Sequence, residues 1–257
     1  MVVNGRAIAE RVYASLGERA LTLGILMLGS DPVTGSFVRA KERAAARLGV
    51  TVERETLPED ASQADIEEHV AALASRTDGI IVQLPLPSHI DIESVLAAIP
   101  PEKDVDGISP APMVRPPVAG AVHEILREGA VQALDANAVV VGAGRLVGAP
   151  CITLLRDLGA HVEVLRKGDS LAALREADII VLGAGEPGMV LPERIKEGTV
   201  LIDAGTSESS GKVVGDADPA CAEKASLFTP VPGGVGPVAI AMIFMNLYAL
   251  ADRRGGN

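Results

Sequence analysis

A chain of 257 residues is long enough for two domains of ordinary size, and with 48% apolar residues it can bury its cores without disulfides or metals. Its net charge of −11 excludes partners that need an excess of Lys and Arg, namely nucleic acids and anionic membranes. Cys151 and Cys221 are too few for a disulfide framework, and we interpret both as small buried hydrophobes in a reducing compartment. We predict no signal peptide and no apolar stretch of about 20 residues, and hence a cytoplasmic protein.

The first part of the chain alternates helices and strands. Apolar residues at helical spacing predict helices, and short apolar or alternating runs predict strands. The predicted helices span residues 7–21, 37–48, 63–76 and 92–99, and the predicted strands span residues 23–28, 50–57 and 79–84. This alternation is typical of a mostly parallel sheet between helices.

A proline-rich stretch at residues 110–117 interrupts the alternation, and we place a domain boundary there. Beyond it, predicted helices span residues 118–127, 146–158, 171–177 and 238–250, and predicted strands span residues 138–141, 161–165, 179–182 and 200–202. We expect the last helix to return to the first domain. The sequence therefore predicts two α/β domains, one from residues 1–117 with 238–257 and one from residues 118–237.

Three glycines follow the first strand of the second domain. Gly142, Gly144 and Gly148 lie between a buried strand and a helix, which is the dinucleotide fingerprint with one extra residue before the last glycine. Small residues there let the backbone approach a pyrophosphate, whose charge meets free N–H groups at the helix N-terminus. The alternative is a tight turn without a ligand, but the flanking strand and helix favour a Rossmann-type dinucleotide-binding domain.

The end of the next strand indicates which dinucleotide binds. An NAD site usually has Asp or Glu there, about 20 residues after the glycines, whereas this strand ends at Arg166 and Lys167. Two cations favour the 2′-phosphate of NADP. A solvated basic turn is the alternative, and NAD stays possible as the cofactor.

Several segments in the same order carry a resemblance to a known family. They are residues 4–9 (NGRAIA), 82–87 (VQLPLP), 101–107 (PEKDVDG) and 229–237 (TPVPGGVGP), with the Lys41 helix and the glycine turn at residues 142–150. Over nearly its whole length, the chain resembles the bifunctional methylenetetrahydrofolate dehydrogenase/methenyltetrahydrofolate cyclohydrolase family. The resemblance implies two α/β domains flanking a cleft, the second of them Rossmann-type, and a homodimer built through the cofactor domains.

The resemblance also implies roles for individual residues. Lys41 matches the catalytic lysine of the family, Gln83 the glutamine that holds it, and Asp106 the aspartate that binds the pterin ring. The loop that closes over the folate corresponds to Pro232, Gly233, Gly234, Val235, Gly236 and Pro237. The cofactor-binding residues that we predict are Gly142, Ala143, Gly144, Arg145, Gly148, Arg166 and Lys167.

The residue types suit these roles chemically. A carboxylate such as Asp106 can accept two parallel N–H bonds from the amidine-like edge of a pterin. Partial burial beside a cationic substrate would lower the pKa of Lys41, so that its amine could take the proton of an attacking water. Gln83 is a polar residue at the end of an apolar strand, where ligands bind in open α/β sheets. The plainer alternatives are a solvated helix face for Lys41 and a cap of the turn before Gly107 for Asp104 and Asp106.

Phe37 and Ala143 are among the positions that depart from the family pattern. Phe37 stands where the family has a tyrosine one helical turn before the lysine, which removes a hydroxyl from this substrate-binding position. Ala143 stands where an arginine often helps to bind the cofactor phosphate, and Arg145 could compensate. We therefore predict a dehydrogenase whose cyclohydrolase step is slow or absent.

The leading hypothesis is NADP-dependent oxidation of methylenetetrahydrofolate to methenyltetrahydrofolate, followed by hydrolysis to formyltetrahydrofolate. Two alternatives stay open: a dehydrogenase for another pterin carrier, such as a methanopterin, and a folate-binding protein that has lost catalysis. The presence of Lys41, Gln83 and Asp106 together argues against the second alternative, whereas Phe37 keeps it open. The four histidines share no ligand spacing, and we predict no metal site.

Overall fold

The computed structural model describes residues 1–29, 32–209 and 212–255. Contacts group the chain into two compact units. Met1–Arg11 and Val118–Ala239 form the glycine-turn unit, and Val12–Pro117 with the chain from Ile240 onward form the Lys41 unit. Our sequence-based boundaries instead place the first 11 residues with residues 12–117, and they stay a prediction.

Helices and strands alternate along the described chain, which confirms the predicted α/β class. The helices are α1 (Gly5–Leu16), α2 (Pro32–Arg47), α3 (Gln63–Arg76), α4 (Ile92–Ala97), α5 (Pro117–Glu128), α6 (Gly148–Asp157) and α7 (Val235–Gly255). The strands are β1 (Thr22–Leu28), β2 (Thr51–Leu57), β3 (Gly79–Val82), β4 (Asn137–Val141), β5 (His161–Leu165), β6 (Ile179–Leu182), β7 (Val200–Asp203), β8 (Ser207–Ser209), β9 (Lys212–Val214) and β10 (Leu227–Phe228).

The Lys41 unit is built on a three-stranded parallel sheet in the order β2–β1–β3. The central strand β1 is buried except at its two end residues. Ile66, Val70 and Leu73 of α3 pack in one core with Leu26 of β1 and Ile80 of β3. This packing fixes the carboxyl ends of β1 and β3, where parallel α/β sheets place their functional side chains.

The glycine-turn unit is built on a five-stranded parallel sheet in the order β10–β7–β6–β4–β5, with β8 and β9 as an antiparallel hairpin. The chain runs from β4 out to β5 and then returns to β6 on the other side of β4. The strand order therefore reverses next to β4, and in doubly wound sheets ligands bind at such a switch point.

The predicted bounds of α3, β5 and β6 agree with the structure, and other elements differ for physical reasons. Helix α2 begins at Pro32, five residues before the predicted start. Residues 171–177, predicted as a helix, instead form a short 3₁₀ turn over Leu171–Arg175, since the cap at Ser170 and the start of β6 leave too little room for an α-helix. Strands β8, β9 and β10 are too short to produce a recognisable pattern and were not predicted.

Helix α7 corrects our expectation that no apolar stretch approaches membrane-spanning length. It has 21 residues with a mean hydropathy of 1.6 over its most apolar window, so by length and composition it could cross a membrane. Within the protein, however, 61% of that window is buried, and Phe244 and Leu247 are fully buried. This burial indicates the core helix of a globular fold.

One buried polar residue ties α7 to the segment that carries Asp106. The side-chain amide of Asn246 donates to the carbonyl oxygens of Val105, at 2.8 Å, and Arg115, at 2.9 Å. Asn246 is itself buried, so both hydrogen bonds are shielded from water.

We expect Asn246→Ala to lower the free energy of unfolding by about 2 kcal/mol, because it leaves two carbonyl groups without their donor. Urea unfolding followed by circular dichroism measures the effect. Gln132→Ala, at an exposed position, is the control and should change stability little. Equal stability of the two variants would show that Asn246 does not anchor this segment.

Candidate active site

Lys41 is buried next to Gln83. Its side chain lies on α2 and is only 8% exposed, and its Nζ donates to Oε1 of Gln83 at 2.8 Å. Gln83 directly follows β3, where its backbone N–H donates to the carbonyl of Leu26 and its Nε2 to the carbonyl of Leu84. The glutamine is therefore held at three points, and the solvated-face alternative for Lys41 is wrong.

Burial controls the ionisation of this cluster. It lowers the pKa of the Lys41 amine from its ordinary value, and the negative charge of Asp106 opposes this only in part. Burial likewise raises the pKa of the Asp106 carboxyl, which the charge of Lys41 opposes and that of Asp104 reinforces. A lysine whose pKa moves toward neutrality can act as a base.

Asp104 shapes the turn that carries Asp106. Its backbone forms a bridge with Ile80 of β3, and its fully buried carboxylate accepts from the backbone N–H of Ser109 at 2.7 Å. Gly107 has a φ of +60°, and a Cβ there would lie 2.7 Å from the carbonyl oxygen of Val114. Of the two aspartates that we considered as caps of this turn, Asp104 has the structural role, and the carboxylate of Asp106 interacts electrostatically with Lys41.

Phe37 lies one turn before Lys41 on α2, with 40% of its surface exposed. The two tyrosines of the chain are engaged elsewhere in the Lys41 unit. The hydroxyl of Tyr248 donates to the carbonyl of Gly17 at 2.8 Å, and the ring of Tyr13 lies 4.9 Å from the guanidinium of Arg47. The hydroxyl that Phe37 lacks therefore has no visible replacement among these residues.

In the glycine-turn unit, a cleft of about 900 Å³ opens at the carboxyl ends of β4, β5 and β6. Its lining includes five of the predicted cofactor residues: Gly142, Ala143, Gly144, Arg166 and Lys167. Two further predicted residues, Arg145 and Gly148, do not line it. Sequence reasoning missed Arg194, a third cation on the cleft wall, which lies in a 3₁₀ turn far from the glycine motif and carries no local signal.

The three glycines of the turn have different functions. A Cβ on Gly148 would lie 2.0 Å from the carbonyl oxygen of Gly142, and one on Gly142 would lie 2.5 Å from that of Gly183. Gly142 also has a φ of +89°. A Cβ on Gly144 would meet nothing within 4 Å. Gly142 and Gly148 therefore permit close packing, and Gly144 leaves open space in which a pyrophosphate fits.

The cleft is positively charged at the end of β5. Arg166 and Lys167 are exposed on its wall, and the backbone N–H of Arg166 donates to the carboxylate of Asp169 at 2.7 Å, which fixes this turn. Exposed cations on an ordered turn match the 2′-phosphate of NADP.

Two of the distant motifs contact each other. The backbone N–H of Gly5 donates to the carbonyl of Gly233 at 3.0 Å, and a Cβ on Gly5 would lie 1.8 Å from the carbonyl oxygen of Gly234. Asn4 caps α1 by accepting from the backbone N–H of Ala7. The NGRAIA segment therefore packs against the glycines of the predicted substrate loop and holds its backbone.

Cys151 and Cys221 are fully buried, and burial raises the pKa of Cys151 to about 12 and that of Cys221 to about 11. Both are protonated, unreactive core residues, as predicted. Among the described residues, no group of three or more His, Cys, Asp or Glu side chains is placed to hold a metal ion.

Two family profiles match the chain. The catalytic domain of tetrahydrofolate dehydrogenase/cyclohydrolase matches residues 3–106, and the NAD(P)-binding domain of the same enzymes matches residues 116–255. The chain belongs to this family.

Known proteins match this chain in sequence and structure over nearly its whole length. The bifunctional protein FolD of Bordetella avium is 38% identical over 98% of this chain and 97% of that protein. The structure of methylenetetrahydrofolate dehydrogenase-cyclohydrolase (FolD) from Trypanosoma brucei, complexed with NADP and an inhibitor, is 34% identical, with a TM-score of 0.95 over 100% of this chain and 99% of that one. The bifunctional enzyme of Thermoplasma acidophilum is 28% identical with a TM-score of 0.90, and both chains are fully covered. The predicted family and NADP as the cofactor of this tetrahydrofolate dehydrogenase/cyclohydrolase are confirmed.

We expect Gly148→Ala to destabilise the protein by about 2 kcal/mol or more, because its methyl group overlaps the Gly142 carbonyl. Gly144→Ala is the matched variant: it should fold with near-native stability but bind NADPH at least about tenfold more weakly, since its methyl group occupies the open space of the cleft. Thermal unfolding and NADPH fluorescence separate the two effects. Normal NADPH binding by a folded Gly144→Ala variant would contradict this assignment of the glycine turn.

Proposed function

We propose that this chain oxidises methylenetetrahydrofolate with NADP and then hydrolyses the methenyltetrahydrofolate product to formyltetrahydrofolate in the same Lys41 unit. The observation that carries the proposal is the buried Lys41 amine, hydrogen-bonded to Gln83 and coupled electrostatically to Asp106. Family membership supplies both reactions, and this cluster supplies side chains that suit them. Neither a different pterin carrier nor an inactive binding protein is favoured by these observations.

For substrate binding, Asp106 holds the pterin ring through paired N–H bonds to its carboxylate. Burial raises the pKa of this carboxyl, and the positive charge of Lys41 opposes that rise. N–H donors on the edge of the pterin would stabilise the ionised carboxylate further. The family resemblance assigns folate contacts to the loop Pro232, Gly233, Gly234, Val235, Gly236 and Pro237, whose backbone is held within the glycine-turn unit by Gly5. Phe37 provides an apolar contact in place of a hydrogen bond.

For oxidation, the glycine-turn unit supplies the cofactor site. When bound, NADP would supply the acceptor for the hydride that the substrate loses. Arg166 and Lys167 would hold its 2′-phosphate, and the backbone at Gly142, Ala143 and Gly144 would bind its pyrophosphate. Gly148 acts indirectly, by letting α6 pack close to the turn. Arg145 is exposed but outside the cleft lining, so we assign the phosphate contact to the two residues at the end of β5.

For hydrolysis, the neutral amine of Lys41 takes the proton that water loses when it attacks the methenyl carbon. Burial lowers the pKa of Lys41 and thereby increases the neutral fraction of its amine near neutral pH. The hydrogen bond from Nζ to Gln83 orients the amine. The rate of hydrolysis should accordingly rise with pH through the lowered pKa of Lys41.

For its setting in the cell, we propose a cytoplasmic homodimer that binds neither nucleic acid nor membrane. The net charge of −11 supports the absence of polyanionic partners. Strand β5 forms an edge of its sheet, so that only one side of its backbone pairs with another strand of the sheet. This free edge supports a dimer in which two copies of the chain pair through their glycine-turn units.

The test combines purified protein, methylenetetrahydrofolate and NADP, and follows NADPH and the folate product separately. We expect NADP reduction, with NAD used less well, and accumulation of methenyltetrahydrofolate ahead of its slower hydrolysis to formyltetrahydrofolate, because Phe37 lacks the tyrosine hydroxyl. Phe37→Tyr should speed hydrolysis about tenfold or more by restoring a hydroxyl near Lys41. Phe37→Leu is the matched control and should leave hydrolysis slow.

A reaction without enzyme corrects for spontaneous hydrolysis of methenyltetrahydrofolate. If neither NADP nor NAD is reduced, the proposed function is wrong. If the tyrosine and leucine variants hydrolyse at equal rates, the dehydrogenase assignment stands and our explanation of Phe37 does not.

A further inference from the structure

Two carboxylates are buried in the glycine-turn unit. Asp203 ends β7 and is 1% exposed, and Asp216 follows β9 and is fully buried. Among the side chains that the structure describes, no ion pair joins either carboxylate to a Lys or Arg. Buried acids are usually paired, so this arrangement requires an explanation.

Asp216 contacts the wall of the cofactor cleft directly. Its Oδ2 accepts from the backbone N–H groups of Ala184, at 2.7 Å, and Gly185, at 3.1 Å, and both residues line the cleft. Its Oδ1 is buried and has no hydrogen-bond partner among the described residues. Oδ2 therefore accepts both of these hydrogen bonds, and Oδ1 accepts none from the described residues.

Asp203 uses both of its oxygens. Oδ1 accepts from the backbone N–H of Gly205 at 2.9 Å, and Oδ2 accepts from that of Ala217 at 2.8 Å. A Cβ on Gly205 would lie 2.3 Å from Cγ of Asp216, and one on Gly215 would lie 2.1 Å from Oδ2 of Asp203. Glycines thus make room for both carboxylates, and the backbone is packed around the pair.

Ionisation of this pair costs stability. Burial raises the pKa of Asp203 to about 6, reinforced by the charge of Asp216, and burial also raises the pKa of Asp216, reinforced by Glu186. An acid with a raised pKa keeps its proton up to a higher pH in the folded chain than in the unfolded one. Its contribution therefore makes the protein less stable as pH rises from about 4 to about 6.

The hydrogen bonds of Asp216 do not require its charge. An asparagine could accept from Ala184 and Gly185 with its single oxygen and place its amino group where Oδ1 has no partner. A neutral residue would avoid the cost of a second buried charge beside Asp203. Hydrogen bonding alone therefore does not explain why this residue is an aspartate.

The topology indicates which half of a bound cofactor would lie nearest to Asp216. In such sheets the pyrophosphate lies at the glycine turn after β4, and the adenine ribose lies at the end of the following strand, here β5. A dinucleotide bound in this way would have its nicotinamide half on the side of β4 where β6 and β7 lie. Ala184 and Gly185 follow β6, and Asp216 lies directly behind them.

We propose that the buried charge of Asp216, with that of Asp203, makes the cleft prefer the oxidised cofactor over the reduced one. The nicotinamide ring is cationic in NADP⁺ and neutral in NADPH, so a negative charge in a water-excluded wall attracts only the oxidised form. This preference favours capture of NADP⁺ and release of NADPH, in line with substrate oxidation. The inference rests on the proposed function.

The test measures the dissociation constants of NADP⁺ and NADPH by calorimetry, without substrate. Contacts to the 2′-phosphate and pyrophosphate are common to both forms and cancel in the ratio Kd(NADP⁺)/Kd(NADPH). We expect Asp216→Asn to raise this ratio about tenfold, chiefly by weakening NADP⁺ binding.

Asp178→Asn is the matched control. It removes one negative charge from the same unit, but Asp178 precedes β6 at the opposite end of the sheet, where it contacts Lys196 and the backbone N–H of Asn137. Its ratio should stay within twofold of that of the unaltered protein.

Circular dichroism and thermal unfolding establish that each variant folds. Should Asp216→Asn not fold, Asp203→Asn removes the other charge, and a rise in the ratio is expected there too. An unchanged ratio in a folded variant that binds both forms overturns this inference and leaves the proposed function intact. Failure of the unaltered protein to bind either form overturns both.

Discussion

The hydrogen bond between Nζ of Lys41 and Oε1 of Gln83 joins α2 to the carboxyl end of β3, and the chemistry of the Lys41 unit depends on it. A buried lysine needs a polar partner, and the strand end provides one without a full opposing charge. Because the partner is neutral, desolvation outweighs attraction and the pKa of the amine falls. A carboxylate in the position of Gln83 would instead hold the amine protonated and leave it without a base function.

The glycine-turn unit also contains buried ionisable groups, and there the hydrogen-bond partners are backbone N–H groups. Gly142 and Gly148 bring strand, turn and helix into contact, and Gly144 keeps the cleft open. Buried Asp203 and Asp216 organise the neighbouring loops through backbone N–H donors, with no Lys or Arg in ion pairs with them among the described residues. In both units, therefore, the hydrogen bonds to a buried ionisable group come from neutral partners.

Much of this arrangement can be predicted from the sequence, because it depends on local patterns. Gln83 is recognisable as a polar residue that ends an apolar strand, and the glycine turn as a fingerprint between a strand and a helix. Arg194 and Asp216 were missed because only the tertiary fold brings them to the cleft. The helix predicted at residues 171–177 failed because helical periodicity does not report how little chain separates a cap from the next strand.

The most direct test of this account is the pKa of the Lys41 amine. The chain has six lysines, so a protein labelled with ¹³C at the lysine ε-carbons gives few signals, and Lys41→Arg identifies the one from Lys41. The account predicts a titration midpoint for Lys41 clearly below 10.5, moving up when Gln83→Glu supplies an opposing charge. A midpoint at or above 10.5 in the unaltered protein would contradict the claim that burial prepares this lysine to act as a base.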